Sequence, residues 1–309
     1  MGLPFATEAM KSPEILDALG RAQLASGDTN QALITFARVA NLRPSSPLPQ
    51  MRLAEANLLS KDKSAASQSL RRALEIKPDH LDAQRGLIRL NIDAKKYSDA
   101  TAVARTIQKQ RPKEQVGYQF EGDIAAVQKK FDVAADAYRA GLKQGAFPEL
   151  AAKLHTMLKI SRKNGEAEKL AAGWLHDNPK DPQFRMYLAN AAISTKDMIG
   201  AEKLYQAVVQ IQPNNAIAYN NLAWVAGQLK KDEAVSYAEK ALALVPGQPA
   251  YMDTLAMLLL DKNDLTKALE WQTKAVGLQP DNSVFKLNLA RIHIKNGNKD
   301  QARKELDEL

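Results

Sequence analysis

The chain has no cysteine among its 309 residues. That single absence excludes disulfides, thiolate metal ligands and a cysteine nucleophile, and leaves the redox compartment open. No run of about 18 apolar residues occurs, the length a helix needs to cross a bilayer. The start, Met1-Gly2-Leu3-Pro4-Phe5, lacks the basic-then-apolar order of a signal peptide. Ala6 stands where a myristoylation signal requires Ser or Thr. Glycine-rich phosphate loops are missing, since neither G-x-G-x-x-G nor a Walker pattern is present. The four histidines, His80, His155, His176 and His293, fall at no metal-ligating spacing such as H-E-x-x-H. They read as surface or packing residues. Acidic neighbours such as Asp307-Glu308 read as solvated helix face. No catalytic constellation, cofactor or metal site is expected, so the chain reads as a non-enzyme. Aromatic residues make up only 6% against 45% hydrophobic residues in total. With alanine abundant, that suits close helix packing rather than a β sandwich.

What the chain does have in excess is positive charge, +8 at neutral pH. Residues 1–150 carry 22 basic and 17 acidic side chains, and the remainder 21 and 18. The excess is therefore spread out, and its densest cluster is Lys109, Arg111 and Lys113 with Glu114 beside them. Tracking a phosphate backbone takes a continuous stripe of cations. A solvated basic surface is the reading, and nucleic acid is not the expected partner.

The chain also has a period. Pro44, Pro78, Pro112, Pro148, Pro179, Pro213, Pro246 and Pro280 are separated by 34, 34, 36, 31, 34, 33 and 34 residues. Between them, apolar and small residues recur at matching places: Leu19-Gly20, Leu53-Ala54, Leu87-Ile88, Leu154-His155, Leu188-Ala189, Leu222-Ala223, Leu255-Ala256 and Leu289-Ala290. A second set is Ala32, Ala66, Ala100, Ala134, Ala167, Ala201, Ala234, Ala268 and Ala302. Alanine recurring at one register lets two helix backbones approach closely. A length near 34 built this way resembles the tetratricopeptide (TPR) repeat. The resemblance implies an all-α, right-handed TPR superhelix, an α-solenoid of helix–turn–helix repeats.

Nine units are expected, at 13–46, 47–80, 81–114, 115–147, 148–181, 182–215, 216–248, 249–282 and, incomplete, 283–309. In the first, Ser12 should cap a helix Pro13–Ala25, with Gly27-Asp28 as the turn and Asn30–Leu42 as the second helix. Residues 1–12 read as a leader or the remnant of an earlier repeat. The last helix still places Ala302, Leu306 and Leu309 as if more followed, so a piece of a longer chain is expected. The irregular exit Lys143-Gln144-Gly145-Ala146-Phe147-Pro148 marks Gly141–Pro148 as the place for a bend.

Several stretches are similar to one bacterial family in particular, the long TPR-repeat protein that accompanies exosortase and PEP-CTERM sorting systems. They include Ser12-Pro-Glu-Ile-Leu-Asp-Ala-Leu-Gly, Gln108-Lys-Gln-Arg-Pro-Lys-Glu, Ala172-Gly-Trp-Leu, Asn220-Asn-Leu-Ala-Trp-Val and Met252-Asp-Thr-Leu-Ala-Met-Leu. That resemblance implies an envelope protein on the periplasmic side, tied to exopolysaccharide production or the handling of PEP-CTERM proteins. The alternative is a cytoplasmic protein.

Repeat arrays bind partners on the concave surface that stacked first helices create. Positions 5, 6 and 9 of each first helix resemble those with which TPR proteins contact peptides. Here they hold Arg52, Arg85, Arg89, Gln119, Asp123 and Lys153, then Tyr187 and Asn190, then Asn220, Asn221 and Trp224, then Asp253, Thr254 and Met257, and finally Asn288 and Arg291. The groove is cationic early and rich in amides late. An amide donates and accepts, so it can pair with an extended peptide backbone of any sequence. Asn221 and Asn288 occupy equivalent places two repeats apart, although Thr254 and Tyr187 break the ladder; Asn220 and Asn221 could equally bridge neighbouring helices. Trp174, Trp224 and Trp271 either fill core or line groove pockets, with Trp224 the strongest groove candidate. The expected activity is a protein-interaction scaffold taking a peptide segment in its groove. Two alternatives stand beside it: a polysaccharide-binding surface built on Arg85 and Arg89, and a spacer or self-assembly element. The oligomeric state is not set by these features.

Overall fold

The computed structural model describes residues 12–307, so the leader reading of residues 1–12 lies, apart from Ser12, outside the described residues, as does Leu309. Among the described residues there are eighteen helices and no strand. They run α1 Pro13–Ala25, α2 Thr29–Leu42, α3 Leu48–Leu59, α4 Lys63–Ile76, α5 Leu81–Asp93, α6 Tyr97–Gln110, α7 Val116–Val127, α8 Phe131–Leu142, α9 Pro148–Ile160 and α10 Asn164–Asp177. Then follow α11 Pro182–Ser194, α12 Met198–Ile211, α13 Ala216–Gln228, α14 Ala234–Leu244, α15 Pro249–Asp261, α16 Leu265–Leu278, α17 Ser283–Lys295 and α18 Lys299–Asp307. The result is an all-α solenoid. It forms two compact units, Met1–Ala167 and Glu168–Leu309.

Helix starts follow local chemistry. Pro13, Pro148, Pro182 and Pro249 each begin a helix, where the missing N–H costs nothing and the fixed φ already fits. Ser12, Asp28, Asp62, Asp181, Asp197, Asn215, Asp264 and Asn282 accept a hydrogen bond from a first-turn amide. Each such cap contributes about 1 kcal/mol. Because Asp28 is a cap, the second helix begins at Thr29 rather than Asn30.

Every turn inside a helix pair has one design. Asp62 N–H donates to Asn57 C=O and Lys61 N–H to Leu58 C=O, with Lys61 left-handed at φ 64°. This is a Schellman motif, which pairs two carbonyls that a helix end leaves without partners. Left-handed residues recur at Gly27, Lys61, Lys95, Lys129, Arg162, Lys196, Lys230, Asn263 and Gly297. Glycine needs no strain for this conformation, whereas a side chain costs about 1 kcal/mol or more. A cation there recovers part of that cost from the helix dipole.

The pairs close on alanine. All nine alanines of the recurrent set are buried, at 0 to 3% exposure. In two of the pairs, bulk is matched across the helix crossing. A Cβ added to Gly20 would lie 2.5 Å from the ring of Phe36, and one added to Gly122 would lie 2.2 Å from the ring of Tyr138. Large residues on the second helix thus fill the space that glycine vacates on the first, as close packing requires. At the start of the Gly141–Pro148 exit, a Cβ on Gly141 would sit 2.8 Å from side-chain atoms of Leu150 and Tyr118. The two compact units divide between Ala167 and Glu168, within α10.

Candidate functional site

The first helices carry the predicted contact residues, and the structure ties many of them into a recurring arrangement. In the first unit, Tyr138 Oη donates to Asp123 Oδ1 at 2.6 Å, and Lys153 Nζ from the next repeat reaches the same oxygen at 2.9 Å. In the second unit, Tyr205 Oη donates to Asn190 Oδ1, and Asn221 Nδ2 from the next repeat donates to Tyr205 Oη at 3.2 Å. Further along, Gln272 Nε2 donates to Asp253 Oδ1 at 2.7 Å, and Asn288 Nδ2 donates to the same oxygen at 2.8 Å. Each cluster joins a second-helix side chain, an acceptor on its own first helix and a donor on the following first helix. It is therefore a polar clasp between consecutive repeats.

Tyr138, Tyr205 and Gln272 are absent from the sequence-based site. Their signal was available: they stand sixty-seven residues apart, at a register filled elsewhere by Phe36, Leu70 and Ala104. Tyr205 and Gln272 are fully buried and Tyr138 nearly so. Burial, together with the Asp123 carboxylate, pushes the Tyr138 phenol far above the ordinary tyrosine range. Burial also raises Tyr205, with the Asn221 hydrogen bond acting in the opposite direction. Both phenols are thus fixed donors at neutral pH.

The other predicted residues have separate partners. Arg52 pairs with Asp17 at 3.2 Å and Glu55 at 3.4 Å. Arg85 pairs with Asp82 at 3.6 Å and stands 6.0 Å over the Phe120 ring. Arg89 lies exposed, near enough to Asp93 to help lower its carboxyl after the larger effect of Lys63. Gln119 donates to Glu149, Thr254 donates to the Ala250 carbonyl, and Arg291 donates to Asn288. Tyr187 stacks on Phe184 at 5.6 Å between centroids. Asn288 is buried, so its amide belongs to the clasp. Asn221 bridges neighbouring helices through Tyr205, one of the two roles open to it from sequence. Asn220 Oδ1 is buried and has no hydrogen-bond partner among the described residues.

The tryptophans separate cleanly. Trp174 is buried, donates to Asp181 and packs against Phe184. Trp271 is half-buried under Lys274, whose Nζ lies 4.5 Å from the ring centroid. Trp224 is 40% exposed. It sits three and four residues beyond Asn221 and Asn220, hence on the same face of α13.

Among the described residues, no group of three or more His, Asp or Glu side chains is placed to hold a metal ion. Among the same residues, no helix is long and apolar enough to cross a membrane. A hollow of about 510 Å³ is lined by Gly227, Lys230, Lys231, Leu258 and Lys262, around the α13–α14 and α15–α16 turns.

Two solved structures of MamA match part of the chain. The RS-1 ArsTM double mutant matches with a TM-score of 0.46 at 19% identity, over 52% of this chain and 91% of its own. MamA 41-end from Desulfovibrio magneticus RS-1 matches with a TM-score of 0.46 at 19% identity, over 52% of this chain and 92% of its own. One tetratricopeptide repeat model matches residues 57–119 and 259–309. A second matches residues 18–80, 161–216 and 221–283, more than half of the 309 residues. The chain therefore belongs to the tetratricopeptide repeat family, whose stacked helix pairs are scaffolds for protein interaction.

Proposed function

We propose that the first-helix face of the unit Glu168–Leu309 binds an extended polypeptide segment through Asn190, Asn220, Asn221 and Trp224. The observation that carries this reading is Trp224. A large aromatic two-fifths exposed beside two amides matches the composition of binding hot spots, where tryptophan supplies area and neighbouring groups exclude water. The clasp leaves Asn190 exposed while holding its carbonyl, so its N–H₂ group faces outward with fixed orientation.

Peptides selected from a displayed random library against the whole chain provide the test. Trp224→Ala combined with Asn220→Ala should weaken the selected peptides at least tenfold, with helicity and melting temperature unchanged. Equal affinity for the variant would reject the face.

Our finer reading places the scaffold in the bacterial envelope, in exosortase- or PEP-CTERM-linked exopolysaccharide production or protein sorting. Its support is the similarity of the quoted stretches to that family. A chromosomal deletion that leaves exopolysaccharide output and PEP-CTERM protein processing intact would remove it. Polysaccharide binding through Arg85 and Arg89 has weaker footing, because Arg85 is already paired with Asp82.

A further inference from the structure

The basic residues that look dispersed along the sequence gather at the turns of the first unit. Four of its five turns, 60–63, 94–97, 128–131 and 161–164, hold eight cations in sixteen positions, Lys61, Lys63, Lys95, Lys96, Lys129, Lys130, Arg162 and Lys163, while the first turn, 26–29, holds none. The four hold one carboxylate, Asp62, which is occupied in capping α4. Lys63 reaches Asp93 of the next repeat at 2.8 Å, and Lys163 reaches Asp132 of the preceding one at 2.8 Å. Tyr97 and Ser98 line one hollow with Lys130 and Val133. Successive turns are therefore neighbours, roughly 10 Å apart as packed helices are. Lys61, Lys95, Lys96, Lys129, Lys130 and Arg162 form no ion pair among the described residues.

This row is more than charge. Two residues before the left-handed cation, three of the four turns expose an aliphatic side chain: Leu59 at 58%, Val127 at 54% and Ile160 at 49%. The equivalent places in the second unit hold Ser194, Gln228, Asp261 and Lys295, and its four turns hold five cations against three carboxylates. Nor does the turn need a cation, since Gly27, Asn263 and Gly297 adopt the same left-handed conformation. Lysine and arginine occupy a position that glycine fits more easily, and they do so beside exposed aliphatics.

We infer that the turn edge of the first unit docks on an anionic lipid bilayer surface. Lys61, Lys95, Lys129 and Arg162 would meet headgroups, while Leu59, Val127 and Ile160 enter the interface. Alternating cations and aliphatics at one depth is the pattern of peripheral membrane attachment, whereas a soluble polyanion would have no use for the aliphatic side chains.

The test is co-sedimentation of the whole chain with phosphatidylcholine vesicles containing 30% phosphatidylglycerol. Phosphatidylcholine vesicles alone and soluble alginate serve as the other arms. The variant Lys61→Gly, Lys95→Gly, Lys129→Gly, Arg162→Gly removes four charges from positions that favour glycine, so its fold should survive, which thermal unfolding checks. Each cation near an anionic surface is worth about fivefold in partitioning, so removing four should cost roughly 600-fold. Leu59→Ser, Val127→Ser, Ile160→Ser should lose roughly tenfold. Lys196→Gly with Lys230→Gly, in the second unit, should change nothing. Absence of binding to the anionic vesicles, or undiminished binding by the glycine variant, would overturn the inference. So would alginate binding as tight as vesicle binding and indifferent to the serine variant, which would assign the edge to a soluble polyanion.

Discussion

Tyr138 in the first unit and Tyr205 in the second stand at the same register of their repeats, yet their surroundings solve the same problem differently. Tyr138 faces Gly122 and donates to a carboxylate that a lysine from the next repeat neutralises. Tyr205 packs in a cluster with Ala189 and lies between two amides. The first clasp is ionic and the second neutral. One backbone geometry therefore accepts either chemistry, provided that the buried hydroxyl finds a partner. The register belongs to the fold, and its occupants are free to differ.

Packing offers the largest test of that comparison. Gly122→Ala places a methyl group 2.2 Å from the Tyr138 ring. After the gain of about 1 kcal/mol in helix propensity, overpacking should still leave a net loss of about 1–2 kcal/mol in denaturant unfolding. The reverse change beside Tyr205, Ala189→Gly, removes a fully buried methyl group as well as helix propensity and should cost about 1–2 kcal/mol. A stability gain from Gly122→Ala would mean that the Tyr138 ring yields to the methyl group as the space beside Tyr205 already accommodates Ala189.

Salt distinguishes the clasps with a smaller signal. A double-mutant cycle on Lys153 and Asp123 should show a coupling of about 0.5–1 kcal/mol at low salt that vanishes near 1 M NaCl. The cycle on Asn221 and Tyr205 should give about 1 kcal/mol at both. A salt-independent coupling in the first clasp would make its ionic character irrelevant.

Acid gives the third contrast. His155 is buried in the first unit, whereas the matching places in the second are Ala189, Ala223, Ala256 and Ala290. Burial first, then the nearby Lys159 charge, lowers its pKa below the usual 6.5. The unfolded chain thus binds a proton more readily than the folded one, so stability is complete above about pH 6.5 and declines as pH falls through it. His155→Ala should flatten this part of the melting profile, although the cavity lowers stability at every pH. An unchanged slope would exclude His155 as its source.

Much of the architecture was legible because it rests on local chemistry at a fixed interval. Pro13 after Ser12 marks a helix start by itself, and alanine at Ala32, Ala66 and Ala100 marks a close crossing wherever it recurs. The contact face was legible in part. Asn190, Asn221, Asp253 and Asn288 lie where the repeat register puts them, but their partners Tyr205 and Gln272 are on the other helix of the pair. Reading only first helices could not reveal that these amides are held in clasps. Nor could it show that Asn288 is buried while Trp224 is exposed.

Sequence alone determined the all-helical repeat, its length and its helix starts, because capping, proline geometry and alanine spacing act between residues close along the chain. Tertiary structure decided which distant residues meet. A charge excess spread evenly over 309 residues became a row of cations on one edge, since stacking brings residues about 34 apart to within roughly one helix diameter. The same stacking set Tyr138, Tyr205 and Gln272 against the first helices of the following repeats. Side-chain identity supplied the groups, and only the packing of one pair on the next gave them neighbours.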